Sequence, residues 1–153
     1  MKRRLSKYSV SGLELATLIC IDIAFLGFLL LIFISGSAVD WYLGSMEVFY
    51  NINDPQAIKD VLHPVSICAG IGALVLLFCL HILMTNVIKD KPFIMQNVKL
   101  LRVAGIAAVF IALCYLPMYP LFKIHIALFI SVVFVFIALV AFVLSNLFKR
   151  AVE

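Results

Sequence analysis

The chain has 153 residues, of which 65% are apolar and only 13% are charged, and its net charge is +4. A soluble domain is about 45–50% apolar and about 25% charged, so one aqueous core cannot bury this much apolar surface. The composition excludes an ordinary soluble domain and predicts that the lipid bilayer surrounds much of the chain.

Four apolar segments are long enough to be membrane helices, at about residues 12–36, 64–88, 103–122 and 124–147. A helix needs about 20 residues to cross a hydrocarbon layer about 30 Å thick. The first segment is too long for the core of a signal peptide, and Asp22 interrupts it, so we expect a permanent anchor. The predicted fold is all-α: a polytopic integral membrane four-helix bundle that forms one transmembrane domain over residues 1–153.

The basic residues are concentrated in three parts of the chain. The N-terminal tail, the connection at residues 88–102 and the C-terminal tail hold ten of the 12, namely Lys2, Arg3, Arg4, Lys7, Lys89, Lys91, Lys99, Arg102, Lys149 and Arg150. By the positive-inside rule, both termini and this connection are expected in the cytoplasm. Anionic lipid at the inner face is then the expected partner of these side chains, and the net charge needs no direct contact with nucleic acid.

The expected outer loop covers residues 37–63 and combines acidic with aromatic side chains. Its aromatic residues suit the membrane–water interface. Asp54 can cap a helix that begins at Pro55, so a short helix to about Leu62 is expected. His63 and Pro64 should then end this helix and begin the second membrane helix. An interfacial lid and a sensor or ligand-docking loop are the two interpretations.

Small residues recur four apart on three of the predicted membrane helices. Such spacing lets helix backbones approach closely in lipid. The residues are Ala104, Gly105, Ala108 and Ala112 on the third helix, Ser66, Cys68, Gly70 and Gly72 on the second, and Ala141 and Ser145 on the fourth. They predict helix packing rather than a functional site. Further along the third helix, Pro117 and Pro120 should kink and then end it.

Asp22 and His81 lie well inside apolar segments, and Glu14 lies near the start of the first one. A lone charge at the bilayer centre costs at least about 2.5–3.5 kcal/mol, so Asp22 should face the bundle interior or a wet cavity, or be protonated. Because the first two membrane helices run in opposite directions, Asp22 and His81 reach similar depths, and we expect an Asp–His hydrogen bond. Glu14 lies two turns earlier on a similar face. The pair could fix the helix register, respond to protons or line a polar ligand pocket.

The sequence contains none of the common catalytic motifs. HExxH, GxSxG, a P-loop and paired carboxylates are all missing, and the three histidines lie on separate segments. The four cysteines fall inside apolar runs without CxxC spacing. We therefore predict a protein that is not an enzyme, with no catalytic residues, no cofactor and no metal.

The most distinctive motif lies in the connection between the second and third membrane helices. Asp90 can cap a helix and Pro92 suits its first turn, so the third helix is expected over about residues 92–122. The string Pro92-Phe93, three residues, Asn97, three residues, Leu101-Arg102 resembles the PF…N…LR signature of a bacterial four-helix membrane family, domain of unknown function 2975. Members are frequently encoded beside small DNA-binding regulators. The resemblance implies a membrane protein that holds a cytosolic transcription factor or senses a signal for it.

The leading hypothesis is a non-enzymatic regulatory protein of the bacterial cytoplasmic membrane. It would sequester or inhibit a cytosolic DNA-binding transcription regulator in response to a membrane or extracellular signal. The candidate partner-binding residues on the cytoplasmic face are Lys91, Pro92, Phe93, Asn97, Leu101 and Arg102. One alternative is an immunity protein against a membrane-active peptide. Another is a small transporter or channel subunit that uses Asp22 and His81. A homo-oligomer is compatible with all three.

Overall fold

The computed structural model describes residues 12–49, 55–122 and 124–153. In these ranges all the regular structure is helical: α1 (Gly12–Phe33), α2 (Ser35–Phe49), α3 (Pro55–Ile88), α4 (Met95–Tyr115), α5 (Met118–Phe122) and α6 (His125–Val152). Four stretches of the described residues are long and apolar enough to cross a membrane, namely Gly12–Phe33, Gln56–Ile88, Met95–Phe122 and His125–Val152. The predicted all-α four-helix membrane fold is confirmed.

The four long helices pack in the order α1, α3, α4, α6, each against the next. Two contacts show that α1 and α3 are antiparallel: Ser35, which follows the end of α1, meets His63 near the start of α3, and Asp22 of α1 meets His81 towards the end of α3. We call the end that carries the connection between α3 and α4 the basic end. The opposite end, where α2 lies, is the α2 end.

The helix surfaces are those of a protein surrounded by lipid. None of the residues of α1 is buried in the chain. Large apolar side chains such as Leu30, Phe129 and Phe136 are more than half exposed. In water this surface would drive aggregation, whereas hydrocarbon solvates it. The chain is therefore a multi-pass membrane protein.

The closest packing is between α4 and α6, where the small residues meet. Ala104, Ala108, Ala112, Ala141 and Ser145 are all buried. Gly105 is so close to α6 that a Cβ there would lie 2.9 Å from Cε1 of Phe142. The predicted role of these residues in helix packing is confirmed.

The expected secondary structure of residues 37–63 is wrong in part: a helix begins at Pro55 as predicted, but the first part of the range is not a loop. α1 ends at Phe33, and α2 occupies the first part of the expected loop. α3 then continues through Pro64 without the predicted break. Asp54, the predicted cap of this helix, lies outside the described residues.

Tertiary contacts explain why α3 remains continuous through a proline. Pro64 removes one backbone donor, but the turns before it are held by packing. Ile58 and Leu62 are buried in a cluster with side chains of α2, α5 and the start of α6; its buried members are Val39, Leu43, Ile58, Leu62, Met118, Ile124 and Ala127. The first two turns of α3 are therefore fixed to the α2 end of the bundle.

The predicted bounds of the last two membrane helices also change. α4 begins at Met95 rather than Pro92 and ends at Tyr115, and α5 follows after a break at residues 116–117. The break includes Pro117 and agrees with the expected effect of that proline on the helix. α6 continues to Val152, five residues beyond the predicted end at 147.

Candidate functional site

The connection between α3 and α4 begins with a Schellman motif. The backbone N–H of Lys91 donates to the carbonyl of Asn86 at 2.9 Å, and that of Asp90 donates to the carbonyl of Val87 at 2.9 Å. Asp90 has a φ of 55°, the left-handed conformation that this motif requires. Asp90 thus ends α3, and the prediction that it caps the next helix is wrong.

Asn97 fixes the rest of this connection from inside. Its Nδ2 donates to the carbonyl of Pro92 at 2.7 Å and to that of Lys91 at 3.2 Å. Its Oδ1 accepts from Nδ2 of Asn86 at 2.7 Å. The side chain is fully buried, at 0% exposure. Asn97 thereby joins the end of α3, the connection and the start of α4.

Leu101 and Arg102 connect the start of α4 to the bundle. Leu101 is buried. The Nε of Arg102 donates to Oγ of Ser145 at 3.2 Å, and that hydroxyl donates to the carbonyl of Val98 at 3.1 Å. Arg102 is nonetheless exposed over much of its surface. Its guanidinium can therefore bind both α6 and a group outside the protein.

Phe93 is the apolar side chain that this connection presents outwards. It is 57% exposed, and its ring lies 5.2 Å from the ring of Phe148 at an interplanar angle of 59°. Lys91 beside it is exposed, and Pro92 is half-buried. Of the six predicted partner-binding residues, Lys91, Phe93 and Arg102 are accessible, whereas Asn97 and Leu101 are buried, so the prediction that these two contact a partner directly is wrong.

Charge surrounds Phe93 at the basic end. The exposed cations of the described residues there are Lys89, Lys91, Lys99, Arg102, Lys149 and Arg150. The C-terminal residue Glu153 pairs with Lys149 at 3.4 Å. The surface around the exposed ring is therefore predominantly basic, which suits an anionic or acidic partner.

The intramembrane pair forms as expected, but its exposure differs from the prediction. Nδ1 of His81 and Oδ1 of Asp22 are 2.7 Å apart, which confirms the predicted contact. The side chain of Asp22 is 52% exposed and that of His81 is 41% exposed. One of the three alternatives for Asp22, that it faces the bundle interior, is therefore wrong for the single chain; a wet cavity and protonation stay predictions. Glu14 is partly buried in the first turn of α1, about 12 Å along the helix axis from Asp22.

A cavity of about 410 Å³ lies between α1 and α6 towards the α2 end. Its lining is mostly apolar, with Phe28, Ile32, Ile111 and Phe134 among the side chains that face it and α2 closing one side. This volume falls in the range of small-molecule pockets, about 300–1,000 Å³. The described residues contain no group of three or more histidine, cysteine or acidic side chains that could hold a metal.

Comparison with protein families identifies the group to which this architecture belongs. A family model described as "Protein of unknown function (DUF2975)" matches residues 6–153. The chain belongs to this family. No curated protein and no solved structure matches the chain significantly. The predicted resemblance is confirmed, and in this DUF2975 member the PF…N…LR string covers the end of the connection and the first turns of α4.

Three further residues complete this connection, and the motif alone did not indicate them. Asn86 donates a hydrogen bond from its side-chain amide to Oδ1 of Asn97, and Ser145 accepts one from Arg102. Phe148 packs on Phe93. Asn86 had a visible signal, since it is a polar residue in the last turn of an apolar helix. Ser145 was expected to serve close packing, and its hydrogen bonds add a second role.

Proposed function

We propose that this chain is a non-enzymatic regulatory protein of the bacterial cytoplasmic membrane, with the basic end and both termini in the cytoplasm. There it would bind a cytosolic DNA-binding transcription regulator and hold it inactive at the membrane. The observation that carries the proposal is the exposed ring of Phe93 on a connection fixed by Asn97.

An exposed aromatic side chain on a fixed backbone has the properties of a binding anchor. Aromatic residues dominate the energy of many protein interfaces, and a fixed backbone loses little conformational entropy on binding. Asn97, whose side chain bonds the connection on both sides, supplies this rigidity. An apolar ring placed this way would be costly to leave in water, so Phe93 suits a covered position.

The charges around Phe93 favour one kind of contact. A basic surface attracts an acidic one, so the partner would use an acidic face rather than its own basic DNA-binding surface. Such a partner would be sequestered by being held at the membrane. The same lysine and arginine side chains can reach lipid phosphates, and anionic lipid would then share this surface.

The cavity towards the α2 end offers a place for the signal to act. An apolar molecule in the bilayer could enter it and contact α1, α3, α4 and α6 together. α3 extends from this cavity to the connection that carries Phe93. Occupation of the cavity would then alter the geometry of the surface that binds the regulator.

The proposal is tested by determining whether a DNA-binding regulator is encoded beside this chain and by measuring the binding of that regulator to the intact protein in nanodiscs. Phe93→Ala should weaken binding at least tenfold, because it removes the anchor without removing an internal hydrogen bond. Met95→Ala is the matched control, since Met95 is exposed two residues away. If the regulator does not bind, or binds the Phe93 variant as tightly as the original chain, the proposal is wrong.

A further inference from the structure

The Asp22–His81 pair lies deep in the membrane region, on a face that the chain itself leaves open. Asp22 is about 15 Å along α1 from its first residue, and His81 is about 10 Å from the end of α3. Roughly half of each side chain is exposed at this depth. Polar groups inside a membrane normally face protein or a water-filled cavity, because hydrocarbon does not solvate them. This face therefore requires a cover.

The exposed residues of α1 around Asp22 form a regular stripe. At alternating steps of four and three residues the stripe contains Leu15, Ile19, Asp22, Leu26, Leu29 and Phe33, all of them exposed. This is the spacing of the contact positions between two helices in a left-handed coiled coil, the commonest geometry of membrane helix pairs. Because apolar residues surround most of α1, this spacing alone does not identify which face of the helix contacts a partner. Asp22 lies on this face and identifies it as the contact face.

We propose that a second copy of this chain covers the stripe, forming a parallel two-fold dimer through α1 whose axis runs along the membrane normal. A single polar residue among apolar contact positions fixes the register and the number of helices in coiled coils. Asp22 would have that role here. The inference does not depend on the proposed transcription regulator.

A second copy fits this face better than an unrelated membrane helix. The two-fold axis places both Asp22–His81 pairs at the same depth, without any adjustment. The bond within each copy uses Nδ1 of His81 and Oδ1 of Asp22. Neither side chain makes another hydrogen bond within the described part of the chain, so each copy retains an imidazole Nε2 and a carboxylate Oδ2. In the ion-pair form, these groups are complementary across a two-fold axis, giving a closed ring of four side chains.

Disulfide cross-linking in native membranes tests the contact face. In a chain whose sole cysteine is Leu26→Cys, mild oxidation should convert most of the protein to a covalent dimer. The matched control retains Cys20 alone, which is exposed but lies about 160° around α1 from Asp22. It should give at least tenfold less dimer. No dimer from Leu26→Cys, or equal yields from the two chains, would overturn the proposal.

The contribution of the polar pair is tested separately with the purified chain in phosphatidylcholine–phosphatidylglycerol vesicles. Energy transfer between labelled copies should report a dimer that weakens at least tenfold when Asp22→Leu and His81→Leu are combined, because the uncovered face then becomes compatible with lipid. Thr17→Leu, which replaces another exposed polar residue of α1, should leave the dimer unchanged. A double variant that dimerises as well as the original chain contradicts the role given to the pair. Both measurements omit the regulator, so their outcome is independent of its binding.

Discussion

Asn86 and Asn97 lie eleven residues apart in the chain and are joined by a hydrogen bond of 2.7 Å between their side-chain amides. This bond links the last turn of α3 to the first turn of α4. Because Asn97 also binds the carbonyls of Lys91 and Pro92, one side chain determines the course of the whole connection. The position of Phe93 depends on it.

Asn97→Ala should therefore destabilise the protein by about 2 kcal/mol. The substitution leaves the Asn86 amide and two backbone carbonyls without their partners, and each buried group left unsatisfied costs about 1–3 kcal/mol. Water at the basic end can replace part of this loss. The free energy of unfolding is measured by titrating micelles with sodium dodecyl sulfate and following helix content by circular dichroism. Gln96→Ala, at the exposed neighbouring residue, should change little. Equal stability of the two variants would show that Asn97 does not hold the connection.

Ser131→Ala should cost only about 0.6 kcal/mol, the average for a hydrogen bond between membrane helices. Its Oγ donates to the carbonyl of Ala112 on α4 at 3.1 Å, but the alanine keeps the helices equally close. Ser131→Leu should cost more, about 1–3 kcal/mol, because the site is 2% exposed and the backbones must separate. The same titration measures both. The reverse order of the two effects would mean that hydrogen bonding, rather than close packing, dominates this contact.

Gly105→Ala should destabilise the α4–α6 contact. The new Cβ would lie 2.9 Å from Cε1 of Phe142, so the ring or the helix must move. Gly27→Ala is the matched control, because nothing lies within 4 Å of a Cβ there. In the interior of a helix, alanine is favoured over glycine by about 1 kcal/mol, so this control should be neutral or slightly stabilising. Thermal unfolding in detergent should separate the two variants. A Gly105→Ala protein as stable as the Gly27 variant would contradict the close contact.

The proposed orientation predicts opposite accessibility at the two ends of the bundle. In a chain with its four cysteines replaced by alanine, Lys91→Cys should react with a membrane-impermeant maleimide only after the cells are opened. Gly44→Cys should react in intact cells. Both positions are exposed, so a difference in labelling reports the side of the membrane. Labelling of Lys91→Cys in intact cells would show that the basic end lies outside the cell, and the proposed orientation would be wrong.

The membrane helices and the depth of the polar pair could be predicted because both follow from counting residues. Apolar length defines a membrane helix, and antiparallel neighbours place Asp22 opposite His81. The side of α3 against which α1 packs could not be predicted in this way. That side depends on how the helix surfaces fit together. Ile32 of α1 packs directly on Gly70 of α3, where an added Cβ would lie 2.8 Å from Cγ1 of Ile32. The exposure of Asp22 follows from that packing.

The structure around the connection was harder to predict because local and tertiary preferences compete there. Asp90 and Pro92 are favourable at a helix start, yet Asp90 adopts the left-handed conformation that ends α3. A polar residue such as Asn97 near a loop is usually expected at the surface. Asn97 is buried here because the carbonyls of Lys91 and Pro92 accept hydrogen bonds from its amide. In the same way, packing of Ile58 and Leu62 overrides the local effect of Pro64.

Because α3 is continuous, a small change of its direction at one end displaces its other end much further. From Pro64 to Ile88 the helix is about 36 Å long, so a tilt of about 5° at the proline would move the far end by about 3 Å. A displacement of that size is comparable to the length of a hydrogen bond. Small changes in how α2 rests on the first turns of α3 would therefore be large enough to reposition the ring of Phe93.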